Sequence, residues 1–120
     1  MRIWRSLAAL GGLAAVATGA FGAHVVQDPQ AQGWLSTGST YAFVHCLAVF
    51  ACASLEAGGV RPARLAAPVF LVGVLLFSGS LYAMALGAPR ILGAVAPIGG
   101  LMFMLGWALL AWAGFMTRRA

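Results

Sequence analysis

The sequence predicts an all-α fold: a bundle of four transmembrane helices with both termini on the cytoplasmic side. Three observations predict it. Hydrophobic residues make up 62% of the 120-residue chain, charged residues only 8%, and the mean hydropathy is +0.96. A soluble domain of this size carries roughly a quarter charged residues. A chain this poor in polar groups cannot cover a water-facing surface, and its solvent is lipid, where helices satisfy their own backbone. Four apolar runs follow one another, and the arginines fall at their ends and in the links.

The first run extends over about residues 3–26, the second over 37–57, the third over 66–87 and the fourth over 93–116. Each has the roughly 20 residues that cross about 30 Å of hydrocarbon at 1.5 Å per residue. The links are turn-rich: "QDPQAQG" (Gln27 to Gly33), "EAGGVRPAR" (Glu56 to Arg64) and "GAPR" (Gly87 to Arg90), with Pro29, Pro62 and Pro89 marking the breaks. The whole of 1–120 reads as one integral membrane domain. Residues 1–23 also fit a signal peptide, with a basic start and a small-residue "AFG" site. The segment is read here as a retained span. Sliding the chain by 60 residues aligns "TGAFGA" with "SGSLYA", but the match barely exceeds what an Ala/Gly-rich chain gives by chance and does not show a duplication.

Orientation follows from the arginines. Arg2 and Arg5 precede the first span, Arg61 and Arg64 lie in the second link, and Arg118 and Arg119 follow the last span. With four spans these six share one side, against Arg90 and Asp28 on the other. The bias puts both termini in the cytoplasm and argues against dual topology. The net charge of +5 does not imply nucleic acid. Seven arginines without a lysine, set between apolar runs, make no groove-tracking face. Cys46 and Cys52 are six residues apart, about 240° around a helix, which fits neither a disulfide nor a metal-ligand pair.

Lipid gives helices no hydrophobic reason to associate, so small residues must let backbones approach. Gly11, Ala15, Gly19 and Ala23 recur every four residues along the first helix. Gly79, Ala83 and Gly87 do the same at the outer end of the third. Both stripes are expected to pack the bundle, with a homo-oligomer interface or a larger membrane complex as the other use. Trp4, Trp34, Trp107, Trp112 and Tyr41 suit interface anchoring or packing.

The sparse polar residues are expected to gather in the outer half of the bilayer. His24 closes the first helix. His45 lies about eight residues, or ~12 Å, into the second. Tyr41 stands one turn above it, and Ser78, Ser80 and Tyr82 come from the outer half of the third. Intramembrane ionisable groups are costly and commonly functional. The cluster reads as a structural hydrogen-bond network, or as a site for a small ligand such as a quinone, a haem or a metal ion. Nothing in the chain singles out a cofactor, and no metal site is assigned. Glu56, near Arg61 and Arg64, reads as an interfacial ion pair. No catalytic residues are assigned, because no nucleophile–base arrangement is present and Asp28 lies in the outer loop.

"GAFGAH" (Gly19 to His24), "YAFVH" (Tyr41 to His45), "FSGSLY" (Phe77 to Tyr82) and "LGAVAPIGGLMFMLGW" (Leu92 to Trp107) occur in this order. Together they resemble the small membrane-protein family of bacterial YgdD and eukaryotic transmembrane protein 256, over nearly the whole chain. The resemblance implies a multi-helix integral membrane protein, inner-membrane in bacteria, with no agreed activity. His24, Tyr41, His45, Ser78, Ser80, Tyr82 and Pro97 match its motifs. Where the family pattern often has Gln, this chain has Ala42. The expected function is a structural or accessory membrane role without catalysis; the alternative is binding or transport of a small ligand through the outer cluster.

Overall fold

The computed structural model describes residues 1–117 of the chain, and Arg118 and Arg119 lie outside them. Four long helices run antiparallel in sequence: α1 (Arg2–His24), α2 (Pro29–Ala57), α3 (Arg61–Ala85) and α4 (Ala96–Met116), with a short 3-10 helix over Arg90–Ala94 before α4. All four are long and apolar enough to cross a membrane. Large apolar side chains such as Leu13, Leu47, Leu75 and Phe115 point outward on every helix, as a lipid-facing surface requires. Met1, Trp4, Leu55, Val60 and Ala113 join one apolar cluster, so both ends of the described chain and the α2–α3 turn share one end of the molecule.

The links are shorter than the sequence suggests. α2 begins at Pro29, eight residues before the expected Thr37, because Asp28 caps it: the Asp28 carboxylate accepts from the Ala31 backbone N–H at 3.1 Å and Pro29 starts the helix. Proline fits the first turn, where its missing N–H has no partner to lose. α3 likewise starts at Arg61 rather than Ala66, with Pro62 in its first turn. The "EAGGVRPAR" link shrinks to Gly58–Val60, with Gly59 at φ +85°, a conformation that glycine adopts without strain. α1 ends at His24 rather than Val26, α3 ends at Ala85 rather than Gly87, and α4 begins at Ala96 rather than Gly93.

α2 and α3 form the centre. α1 packs on α2 and α4 on α3, while α1 meets α3 only lightly and does not reach α4. Half of the apolar window of α2 is buried, against 17% for α1. The bundle is therefore opened out, with α1 and α4 on its flanks.

Facing residues fix the register. On α1 and α2, Gly22 meets Leu35, Gly19 and Thr18 meet Ser39, and Gly11 meets Cys46. Each step back along α1 matches an equal step forward along α2. On α3 and α4, Gly73 meets Phe103, Gly99 meets Phe77 and Gly106 meets Phe70 in the same way. These glycines let the two backbones close: a Cβ on Gly99 would stand 2.5 Å from the Phe77 backbone nitrogen.

The small-residue stripes are differently placed from the expectation. The buried seam of α1 is Ala8, Ala15 and Gly22, with Gly11 and Gly19 alongside, and Ala23 is exposed. A strict four-residue spacing drifts about 40° per step around a helix, so its last member has rotated off the contact. On α3, Gly79 has only Leu75 of its own helix near it, and Gly87 lies beyond the helix end at φ +104°, where it turns the chain. The tight approaches of α3 come instead from Gly73 and from Gly38 of α2.

Candidate functional site

The polar side chains inside the bundle form two groups. The first joins three helices through hydroxyls near the end of the structure opposite the shared termini. Ser39 of α2 lies 2.8 Å from the Thr18 hydroxyl of α1 and 3.1 Å from the Tyr82 hydroxyl of α3. Thr18 also bonds the Ala14 carbonyl at 2.7 Å. The direction of this chain follows from proton counting. A carbonyl only accepts, so Thr18 spends its one hydrogen on Ala14. Ser39 must then donate to Thr18, which leaves its lone pair to accept from Tyr82. The wire runs Tyr82 to Ser39 to Thr18 to the Ala14 carbonyl. One turn before Tyr82 on α3, the buried Ser78 hydroxyl donates to the carbonyl of Gly38, the residue before Ser39, at 2.7 Å across the α2–α3 interface. Gly38 has no side chain because the Tyr82 ring occupies its place: a Cβ there would meet Tyr82 Cε1 at 2.8 Å.

The second group centres on His45. It is buried at 4% exposure, sixteen residues or ~24 Å after Pro29 along α2. The early start of α2 thus puts it past mid-helix rather than in the outer half. Its Nδ1 lies 2.6 Å from the Tyr41 carbonyl one turn back, and Trp107 of α4 donates its indole N–H to Nε2 at 3.0 Å. Those partners dictate a neutral ring with its proton on Nδ1: the carbonyl needs a donor and the indole needs an acceptor. The imidazole stacks on Phe103 at 3.6 Å between centroids, and Phe70 and Trp107 close its sides at 5.7 and 5.8 Å. Tyr41 is exposed and continues the aromatic stack, 4.8 Å from Phe77.

His24 joins neither group. It is exposed in the last turn of α1. In the α1–α2 register it is level with residue 33, twelve residues before His45, or ~18 Å along the axis. One small ligand cannot touch both rings. Ser80 turns back on its own helix and donates to the Phe77 carbonyl at 2.8 Å. Of the six residues expected to cluster, Tyr82 belongs to the hydroxyl wire, Ser78 lies one turn away, Tyr41 and His45 share the aromatic box, and Ser80 and His24 stand apart. Thr18, Ser39, Phe103 and the role of Trp107 escape a reading by depth alone. The pairing register that brings them together is not visible in one helix at a time; the polar run "STGST" at Ser36 to Thr40 is the signal that could have marked this stretch of α2.

Outside the bundle, Arg90 donates to the Gln30 side chain at 2.6 Å and lies 6.0 Å from the Trp34 ring centre, tying the α3–α4 connection to the start of α2. Glu56, Arg61 and Arg64 border one shallow cleft at the opposite end.

The profile of the family described as "Protein of unknown function (DUF423)" matches residues 18–100, which hold Thr18, Ser39, His45, Ser78 and Tyr82. The chain belongs to this family. It is 40% identical over 116 residues to the "UPF0382 membrane protein" of Haemophilus influenzae, covering 94% of each chain. It is 37% identical over 113 residues to the protein of the same name from Staphylococcus epidermidis, covering 92% of this chain and 93% of that one. It is 39% identical over 116 residues to the "UPF0382 inner membrane protein YgdD" of Escherichia coli K12, covering 93% and 88%. No solved structure matches. Four membrane-crossing helices and an inner-membrane relative make this DUF423 chain a multi-pass inner-membrane protein.

Proposed function

We propose that this DUF423 protein is a structural or accessory component of the inner membrane, without catalysis, oriented with both termini in the cytoplasm. One observation carries the reading. Among the described residues, no buried side-chain nitrogen or oxygen lacks a hydrogen-bond partner within the chain. Ligand sites present convergent polar groups with capacity to spare. Here Thr18, Ser39 and Tyr82 use their hydrogens on one another and on a carbonyl, and both nitrogens of His45 are engaged by the protein. Such saturated contacts hold helices in one register, which suits a scaffold or a partner-binding subunit. The orientation rests on Arg2, Arg5, Arg61 and Arg64 at the end that carries the termini, against Arg90 at the other.

The test is native mass spectrometry of the detergent-extracted protein together with its optical spectrum. The expected result is the mass of the chain, alone, as a multimer or with lipid, and an absorbance from tryptophan and tyrosine only. A stoichiometric quinone, haem or metal ion lost on substitution of His45 or Tyr82 would overturn the reading in favour of a small-ligand binder.

A further inference from the structure

A groove of about 350 Å³ opens between α1 and α3 in the half of the molecule that carries the termini. Leu7 and Gly11 of α1 form one wall, Pro68, Leu71 and Leu75 of α3 form the other, and Cys46 of α2 lies at its floor. The lining is almost wholly apolar and the groove faces outward. It exists because α1 packs on α2 and only grazes α3. The walls run parallel: α1 and α3 both start at the same end, with Trp4 at that end of the groove.

The α3 wall continues beyond the groove into charge. Arg61, Arg64, Pro68, Leu71 and Leu75 are spaced by three, four, three and four residues, so they form a single stripe on one face of the helix. Its first two members are exposed arginines, which also border a smaller cleft with Leu65. They sit ~10 and ~6 Å beyond Pro68 along the axis, where headgroups lie if the groove lies among acyl chains. Glu56 lines a cleft together with both arginines. Arg2 and Arg5 share this end of the molecule but lie off the α1 face formed by Trp4, Leu7 and Gly11.

We propose that this groove and its two arginines form a site for one anionic phospholipid of the leaflet on the side of the termini. One acyl chain lies between α1 and α3, and the phosphate is held by Arg61 and Arg64. Charge complementarity decides the occupant. An apolar groove alone accepts any acyl chain, and the phosphate of any phospholipid accepts charge-assisted hydrogen bonds from guanidinium groups on the same stripe. The preference for a lipid with net negative charge comes from the rest of the headgroup, since a zwitterionic lipid brings a cation that two arginines repel.

The test is native mass spectrometry of the full chain exchanged into micelles holding equal amounts of phosphatidylglycerol and phosphatidylcholine. The wild-type protein is expected to retain one phosphatidylglycerol in preference. The Arg61→Gln/Arg64→Gln variant should bring that preference down by about thirtyfold, two arginines near a surface each giving several-fold. Arg2→Gln/Arg5→Gln should leave it unchanged. Val72→Trp, at an exposed position beside the groove, should lower retention of both lipids by filling the acyl path. Equal retention of the two lipids by the wild type would overturn the proposal. So would equal losses from the two arginine pairs, which would mean diffuse surface charge, or retention untouched by Val72→Trp.

Discussion

The α3–α4 contact makes a sharp prediction from two adjacent glycines. A Cβ on Gly99 would stand 2.5 Å from the Phe77 nitrogen, 2.8 Å from its Cβ and 2.9 Å from its Cα, whereas a Cβ on Gly100 would meet nothing within 4 Å. The obstruction at Gly99 is backbone, which cannot swing aside as a side-chain tip can. Bringing the shortest distance to the 3.4 Å where ordinary contact begins requires the helices to part by about 0.9 Å. A gap of that size forfeits a quarter to a half of each dispersion contact it opens, here around the Gly73–Phe103 and Gly106–Phe70 approaches. Overpacking costs about 1–3 kcal/mol, and a backbone clash on both sides belongs at the upper end. Gly99→Ala should therefore destabilise the fold by ~3 kcal/mol, roughly a hundredfold in the unfolding equilibrium. Gly100→Ala should stabilise it by about 0.5–1 kcal/mol through helix propensity. Unfolding in mixed micelles with increasing sodium dodecyl sulfate, followed by tryptophan fluorescence and circular dichroism, measures both. If the two variants fall within about 0.5 kcal/mol of each other, the register of α3 on α4 is not the one described.

Three further outcomes follow from the polar groups and the charge pattern. In a double-mutant cycle, Trp107→Phe should cost ~1 kcal/mol more beside His45 than beside His45→Phe, since intramembrane hydrogen bonds average about 0.6 and reach about 1.7 kcal/mol; additivity of the unfolding energies would deny the indole–imidazole bond. Ser39→Ala removes the middle of the hydroxyl wire and should cost about 1.2 kcal/mol, twice the loss for Tyr82→Phe at its end, in the same unfolding assay. A fluorescent protein fused to the C-terminus should fold and fluoresce in the cytoplasm while alkaline phosphatase fused there stays inactive, and a phosphatase active at the C-terminus would reverse the orientation.

The spans were legible because their signal is composition over about 20 residues, which tolerates local error. Their ends were less so, because the same residues that break helices also begin them. Pro29 read as a break, yet with Asp28 before it the pair is a capped start. That single reversal moved His45 from the outer half to beyond the middle of its helix. The hydroxyl wire was only half legible. Tyr82 was visible as a polar residue in a span, but Thr18 and Ser39 acquire meaning only once α1 and α2 are in register, and register is a property of two helices. The glycines show the same limit. Gly11 and Gly99 look alike in the sequence to Gly12 and Gly100, and only the partner helix separates those that must stay small from those with open space.

The unequal attachment of the helices bears on what the protein can do. α4 is bound to α3 by interlocked glycines and rings and to α2 by the Trp107–His45 bond. α1 has a seam of Ala8, Ala15 and Gly22 and, among the described residues, a single side-chain hydrogen bond to another helix, Thr18 to Ser39. Small residues bury little area, so that seam holds by closeness of approach. The bond sits in the half away from the termini, while the α1–α3 groove opens in the half that carries them, where Trp4 and Leu7 face α3 across a gap. α1 is thus hydrogen-bonded to its neighbour in one half and held in the other by apolar contacts alone. A lipid chain in the gap would supply the contacts that α3 does not, and would make the position of α1 depend on the lipid beside it. Thr18→Val should therefore loosen α1 most in micelles that lack phosphatidylglycerol. That dependence separates a helix braced by lipid from one held by protein alone.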